Sequence, residues 1–163
     1  EDFMNLVLAN KPHQCTLVPD APDALTSDAG WNTVKHKVFL KETVTRLQDA
    51  GIRVSLFIDP VAEMLYSAKE TGAERIEFYT GPYAKAYPGD KNAAIAPFID
   101  AAKLCIELEL GINAGHDLNL DNLKFFHEKT PGLLEVSIGH ALICDALYLG
   151  LKNTIQMYLL QLK

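Results

Sequence analysis

Arginine is scarce in this sequence: Arg46, Arg53 and Arg75 are the only three, in a chain of formal net charge −6. A nucleic-acid-binding face needs clustered cations, so that class of partner is excluded. Backbone N–H groups bind phosphate without arginine, so small phosphorylated molecules remain admissible. Cysteine is scarce too. Cys15, Cys105 and Cys144 are odd in number, far apart and never in C-x-x-C spacing, which points to neither a metal site nor a redox pair. All three read as small apolar packing residues in a reducing cytosol. No apolar run has the length of a membrane span, and the opening residues lack a signal-peptide pattern, so no membrane partner is expected and the expected location is cytoplasmic. No G-x-G-x-x-G follows the first strand-like run, which counts against a dinucleotide-binding sheet.

What is present is an ordinary globular composition, 48% hydrophobic and 22% charged over 163 residues, enough for one domain with a sizeable core. Strand and helix signals alternate along it. Gln14–Val18, Arg53–Ile58, Arg75–Thr80, a run opening at Ile112-Asn113, and Leu133–Ile138 read as strands. Helical patterns fill the gaps: Thr33–Ala50, with Val34, Val38, Val44 and Leu47 toward one face, then Val61–Thr71, Asn92–Leu110 despite Pro97, and Leu120–Glu128 behind Asn119 as N-cap. Ala141–Leu149 and Lys152–Leu162 close the chain around Gly150. Gly51, Gly72 and Gly111 stand where helices should stop. The segment up to Gly89-Asp90 reads as loop with some helix.

Such alternation with short turns means a parallel α/β sheet, either open and doubly wound or closed as a (β/α)8 barrel. A barrel spends roughly 31 residues per unit, so five units would take roughly 155. The expectation is therefore an α/β chain made of about five of the eight units of a TIM barrel, a single partial domain over residues 1–163. The chain opens at Glu1 rather than at methionine, and a helix-like stretch, Met4–Ala9, runs straight into Lys11-Pro12, which fits an opening in the middle of something longer.

Two short apolar runs end in Gly-His: Gly111–His116 and Glu135–His140. In barrels the active site lies at the C-terminal ends of the strands, often with phosphate on the last two loops. His116, followed by Asp117, is a candidate for proton transfer; the alternative is a residue that caps the next helix. Gly139, in the Gly-His step that precedes the apolar helix Ala141–Leu149, makes a plausible phosphate cradle; the alternative is a glycine needed only for strand-to-helix packing. Glu77 lies on the strand face opposite Ile76 and Phe78, and is either a catalytic acid or base or half of a structural ion pair inside the barrel. Asp59-Pro60 either aims at the site or is ordinary turn chemistry. His13, His36 and His127 read as surface or packing residues.

Five segments, Lys11–Pro19, Val54–Asp59, Ile76–Gly81, Asn113–His116 and Ile138–His140, occur in an order and spacing that closely resemble the pyridoxine 5′-phosphate synthase family of the deoxyxylulose-dependent vitamin B6 pathway. The resemblance covers essentially the whole chain. It implies a (β/α)8 barrel, a homo-octamer, no organic cofactor, and condensation of 1-deoxy-D-xylulose 5-phosphate with 3-amino-2-oxopropyl phosphate to pyridoxine 5′-phosphate, phosphate and water. It makes His116 a proton donor, makes Gly139 and His140 ligands of a substrate phosphate, and makes Thr26 a contact to the deoxyxylulose phosphate. Asp117 falls at a substrate-binding position where many members carry glycine. The family's acidic, basic and histidine residues on its first strands have no counterpart here, so half a site is expected. The competing reading is a non-catalytic phosphate-binding half-barrel that self-associates; an aldolase-like barrel would need a Schiff-base lysine near a strand end, and none is placed that way.

Overall fold

Strand and helix do alternate as the pattern implies. The computed structural model describes residues 2–20, 24 and 26–163. In chain order the elements are α1 (Asp2–Asn10), β1 (Gln14–Leu17), α2 (Lys37–Asp49), β2 (Arg53–Ile58), α3 (Ala62–Glu70), β3 (Arg75–Phe78), α4 (Gly81–Ala86), α5 (Lys91–Glu107), β4 (Gly111–Gly115), α6 (Leu123–Lys129), β5 (Leu133–Ser137), α7 (His140–Leu149) and α8 (Leu151–Leu160). Of the polar loop after β1, residues 21–23 and 25 lie outside the described residues, as does residue 1.

The strands form one parallel sheet in the order β1-β2-β3-β4-β5. A doubly wound sheet reverses its strand order at a switch point. Here every strand pairs with the next in sequence and the order never reverses, which is the arrangement of consecutive strands in a (β/α)8 barrel.

Side chains alternate across each strand, so the sheet has two faces. One is apolar: Val54, Leu56, Ile58, Ile76, Phe78 and Ile112 are all buried. They join Leu40, Val44 and Leu47 of α2, Leu65 of α3, Phe98 of α5 and Phe126 of α6 in one core cluster. Phe98 links strand to helix, its ring edge-on to Phe78 at 5.7 Å and to Phe126 at 5.4 Å. The other face is polar. Arg53 Nε donates to Gln14 Oε1 (2.9 Å), and Gln14 Nε2 donates to Glu135 Oε1 (3.1 Å). Arg75 Nη1 reaches Asn113 Oδ1 at 2.8 Å and Glu135 Oε2 at 3.3 Å, and Arg53 Nη2 reaches the same Glu135 oxygen at 3.4 Å. Two of the three arginines are thus spent on one carboxylate inside the sheet.

Several sequence expectations are corrected. The helix expected from Thr33 starts at Lys37, because Thr33 is buried with its hydroxyl on the Met64 carbonyl (2.7 Å) and Asn32 Oδ1 takes the Lys35 N–H (2.9 Å), holding a turn instead. Its buried face is Leu40, Val44 and Leu47; Val34 and Val38 are exposed. Pro97 lies inside α5 without breaking it. Asn119 is not the α6 N-cap: Asn122 holds that position, while Asn119 Oδ1 accepts the N–H groups of Asp121 (2.9 Å) and Asn122 (3.2 Å) one turn earlier. Gly111 does not end α5. Glu109 takes the left-handed turn there at φ 54°, and Gly111 is a strand residue whose missing side chain lets Arg75 cross, since a Cβ would lie 3.0 Å from Arg75 Cγ. Cys15 and Cys105 are buried, and burial pushes the Cys105 thiol up to about 12, but Cys144 is exposed on α7. His13 is exposed ahead of β1, His127 is half-buried on α6, and His36 packs its ring on Trp31 at 5.5 Å. Among the described residues no helix is long and apolar enough to cross a membrane.

Candidate active site

The two Gly-His steps come to the carboxyl ends of neighbouring parallel strands: His116 directly follows β4, and His140 opens α7 just beyond β5. The chain turns sharply at the first. His116 has φ 57°, a region that non-glycine residues enter rarely and at a cost. Its N–H donates to the Ser137 carbonyl (2.8 Å), and the Asp117 N–H folds back to the Gly115 carbonyl (2.8 Å), closing a three-residue turn. The buried Thr80 hydroxyl also donates to the Gly115 carbonyl. Gly115 has to be glycine, because a Cβ there would lie 2.0 Å from the Ser137 carbonyl oxygen. α6 begins only at Leu123, so His116 caps no helix.

The His116 ring is held from both sides. Its Nε2 lies 2.9 Å from Thr26 Oγ1 and its Nδ1 lies 3.1 Å from Asp117 Oδ2. Thr26 is 90 residues away in sequence, and the loop carrying it is pinned to the strand ends. Gly30 N–H donates to Asp59 Oδ2 (3.0 Å), Trp31 N–H to the Phe57 carbonyl (2.8 Å), and Trp31 Nε1–H to the Leu17 carbonyl (3.0 Å). Asp59 therefore anchors this loop.

Glu77 lies on the polar face, 7% exposed, and accepts the Thr16 hydroxyl at 3.2 Å. Burial, above all, raises its carboxyl above the ordinary carboxylate range; the Thr16 hydrogen bond opposes this, the negative Glu135 adds to it, and His116 opposes it. The carboxylate that takes the arginines is Glu135, so the ion-pair reading attached to Glu77 belongs to Glu135 instead. Gly139 has φ −104° and ψ −75°, and nothing lies within 4 Å of where its Cβ would be, so packing does not demand a glycine there. His140 is exposed, and α7 has no buried residue. Among the described residues no three His, Cys, Asp or Glu side chains converge to hold a metal ion.

The sequence model of the family described as "Pyridoxal phosphate biosynthesis protein PdxJ" matches residues 1–163. The chain belongs to the PdxJ family. Among its relatives, pyridoxine 5′-phosphate synthase of Flavobacterium johnsoniae is 58% identical over 163 residues, covering 99% of this chain and 68% of the relative. The synthase of Cytophaga hutchinsonii is 56% identical over 162 residues, with 99% and 68% covered. That of Christiangramia forsetii is 54% identical over 163 residues, with 100% and 69% covered. The residues that sequence reasoning passed over are Thr80, Ser137 and Tyr79. Thr80 and Ser137 look like ordinary polar residues until their neighbours on the next strand are known. Burial, reinforced by Asp117, Asp28 and Asp59, raises the Tyr79 phenol, which marks this PdxJ rim as acidic.

Proposed function

We propose that this chain supplies part of the active site of a pyridoxine 5′-phosphate synthase, which condenses 1-deoxy-D-xylulose 5-phosphate with 3-amino-2-oxopropyl phosphate and releases phosphate and water. The observation that carries the reading is the meeting of His116 and Thr26 at 2.9 Å, on the rim where a parallel barrel builds its site. The names of the relatives, over nearly the whole chain, support it further. In this reading His116 donates a proton during the dehydration and ring-closing steps, which need proton transfer at several atoms. Thr26 lets go of the imidazole and turns its hydroxyl to the deoxyxylulose phosphate. Gly139 and His140 bind a substrate phosphate at the start of α7, where free N–H groups and the helix dipole favour an anion and the open flank of Gly139 lets it approach. Glu77, buried and drawn toward its neutral form, is a second acid or base facing the same interior.

The reading also takes the 163 residues as a single partial barrel domain, active in the cytoplasm as part of a homo-octamer and using no organic cofactor. Exposed apolar side chains on α7, Leu147 at 80% and Tyr148 at 89%, support self-association. The test is His116→Ala in the full-length protein. A loss in kcat with little change in substrate affinity supports the assignment; unchanged turnover overturns it.

A further inference from the structure

Asp117 has two groups through which it could meet a phosphorylated substrate, and both are already committed. Its main-chain N–H is taken by the Gly115 carbonyl at 2.8 Å, with the Thr80 hydroxyl at 3.4 Å as a second acceptor. Its carboxylate faces the His116 ring, with Oδ2 at 3.1 Å from Nδ1. An ionised carboxylate offers no proton to a phosphate and repels its charge. Toward an imidazole its effect is the opposite. A carboxylate only accepts, so Nδ1 must carry the proton, and the neutral ring then presents the lone pair of Nε2 outward. That is the nitrogen at 2.9 Å from the Thr26 hydroxyl, which can donate to it. Both partners of the ring therefore agree on one tautomer. The strained turn at His116 fixes the pair, with Ser137 holding the His116 N–H and Asn122 Nδ2 holding the Asp117 carbonyl at 3.4 Å.

We propose that Asp117 is a positioning residue for His116: its carboxylate fixes the imidazole with the proton on Nδ1 and the Nε2 lone pair turned to the mouth of the site, where Nε2 first takes up a proton and then returns it as the donor, and its side chain does not bind substrate. Among the described residues, the charged groups that act on the ring are Asp117 itself and Glu77 from β3, while Tyr79, Asp28 and Asp59 lie toward Asp117 rather than toward the ring. Asp117 is the one of these placed on Nδ1.

The proposal rests on the synthase reading for its kinetic consequence but not for its structural one, and the experiment separates the two. Full-length protein labelled with 15N-histidine is compared with Asp117→Ala and Asp117→Asn by long-range proton–nitrogen spectra at a pH where the ring is neutral, the His116 signals being assigned by their loss in His116→Gln. The wild type should show a protonated Nδ1 and a bare Nε2. Asp117→Ala should shift the population toward Nε2–H, with the Thr26 hydroxyl turning to accept. Its kcat should fall roughly 10- to 100-fold, as when an orienting partner is lost, while the KM of either phosphorylated substrate changes less than about threefold. Asp117→Asn keeps the size and the turn but can donate to Nδ1, so it should move the tautomer in the same direction and decides the matter if the alanine variant misfolds. An unchanged tautomer in the variants overturns the proposal, as does a tighter KM at unchanged kcat, which would put the carboxylate beside a phosphate. Full turnover in His116→Ala would instead overturn the synthase role of His116, and the spectra would still judge Asp117.

Discussion

The two Gly-His steps are alike in sequence and opposite in structure. At Gly115-His116 the glycine is jammed against the Ser137 carbonyl, the histidine sits at φ 57°, and both ring nitrogens have partners. At Gly139-His140 the glycine has ordinary negative φ and empty space where a Cβ would be, and the histidine is exposed at a helix start. The first step is built to hold a side chain in one orientation. The second opens a helix whose first turn lies beside open space at its glycine. A proton donor needs the former, because its geometry must be fixed to within fractions of an ångström; an anion site can be made from the latter. The same dipeptide thus takes two different local structures, decided by what the neighbouring strand places beside it.

The sharpest way to break this comparison is to remove the fixed ring. His116→Ala should lower kcat by roughly 10²–10⁴-fold, the usual worth of general acid–base catalysis, with substrate affinity by calorimetry little changed. A variant that lost affinity and kept kcat would make the two histidines functionally alike. Next comes the pair of glycines. Gly115→Ala must push β4 from β5 and should cost about 3 kcal/mol, lowering Tm by roughly 10 °C in a scanning unfolding experiment. Gly139→Ala, meeting nothing, should leave Tm within about 2 °C of the wild type. Gly139→Val should likewise spare the fold yet weaken substrate binding about tenfold, because a branched side chain obstructs the approach to the α7 amides. Equal Tm losses at positions 115 and 139 would erase the distinction.

The smallest effect concerns Glu77, on the strand next to the fixed step. Its carboxyl is raised in the folded chain, foremost by burial, so between its unfolded and folded values the native state holds the extra proton. Its contribution to stability is full below the ordinary carboxylate value and is lost as pH rises through the folded value. Glu77→Gln should therefore flatten the decline in stability that begins above about pH 4, read from denaturant midpoints across pH. An unchanged profile would mean that Glu77 is not buried in the way its environment implies.

Much of the fold was legible because its signals are local. β2 was read with its observed limits, and the other strands to within a residue or two, because apolar runs between glycine, proline and charged punctuation leave little choice. Gly111 was misread for the same reason. A glycine after a helix looks like a stop signal, and nothing nearby says that Arg75 must pass over it on the way to Asn113 and Glu135. In the site, His116 and Gly139 stood out by residue type and position. Thr80 and Ser137 did not, since their hydrogen bonds join the carboxyl ends of neighbouring strands, far apart in sequence.

The sequence by itself determined the alternation of strands and helices, the apolar face that the helices cover, and the arrival of glycine and histidine at two successive strand ends. These follow from side-chain periodicity and backbone freedom, which act over a few residues. Tertiary structure alone decided that the sheet runs in unbroken order, that Glu135 rather than Glu77 takes the arginines, and that Thr26 and Asp117 hold one imidazole between them. Strand register and loop anchoring bring together groups up to 121 residues apart, and no local preference encodes such a meeting.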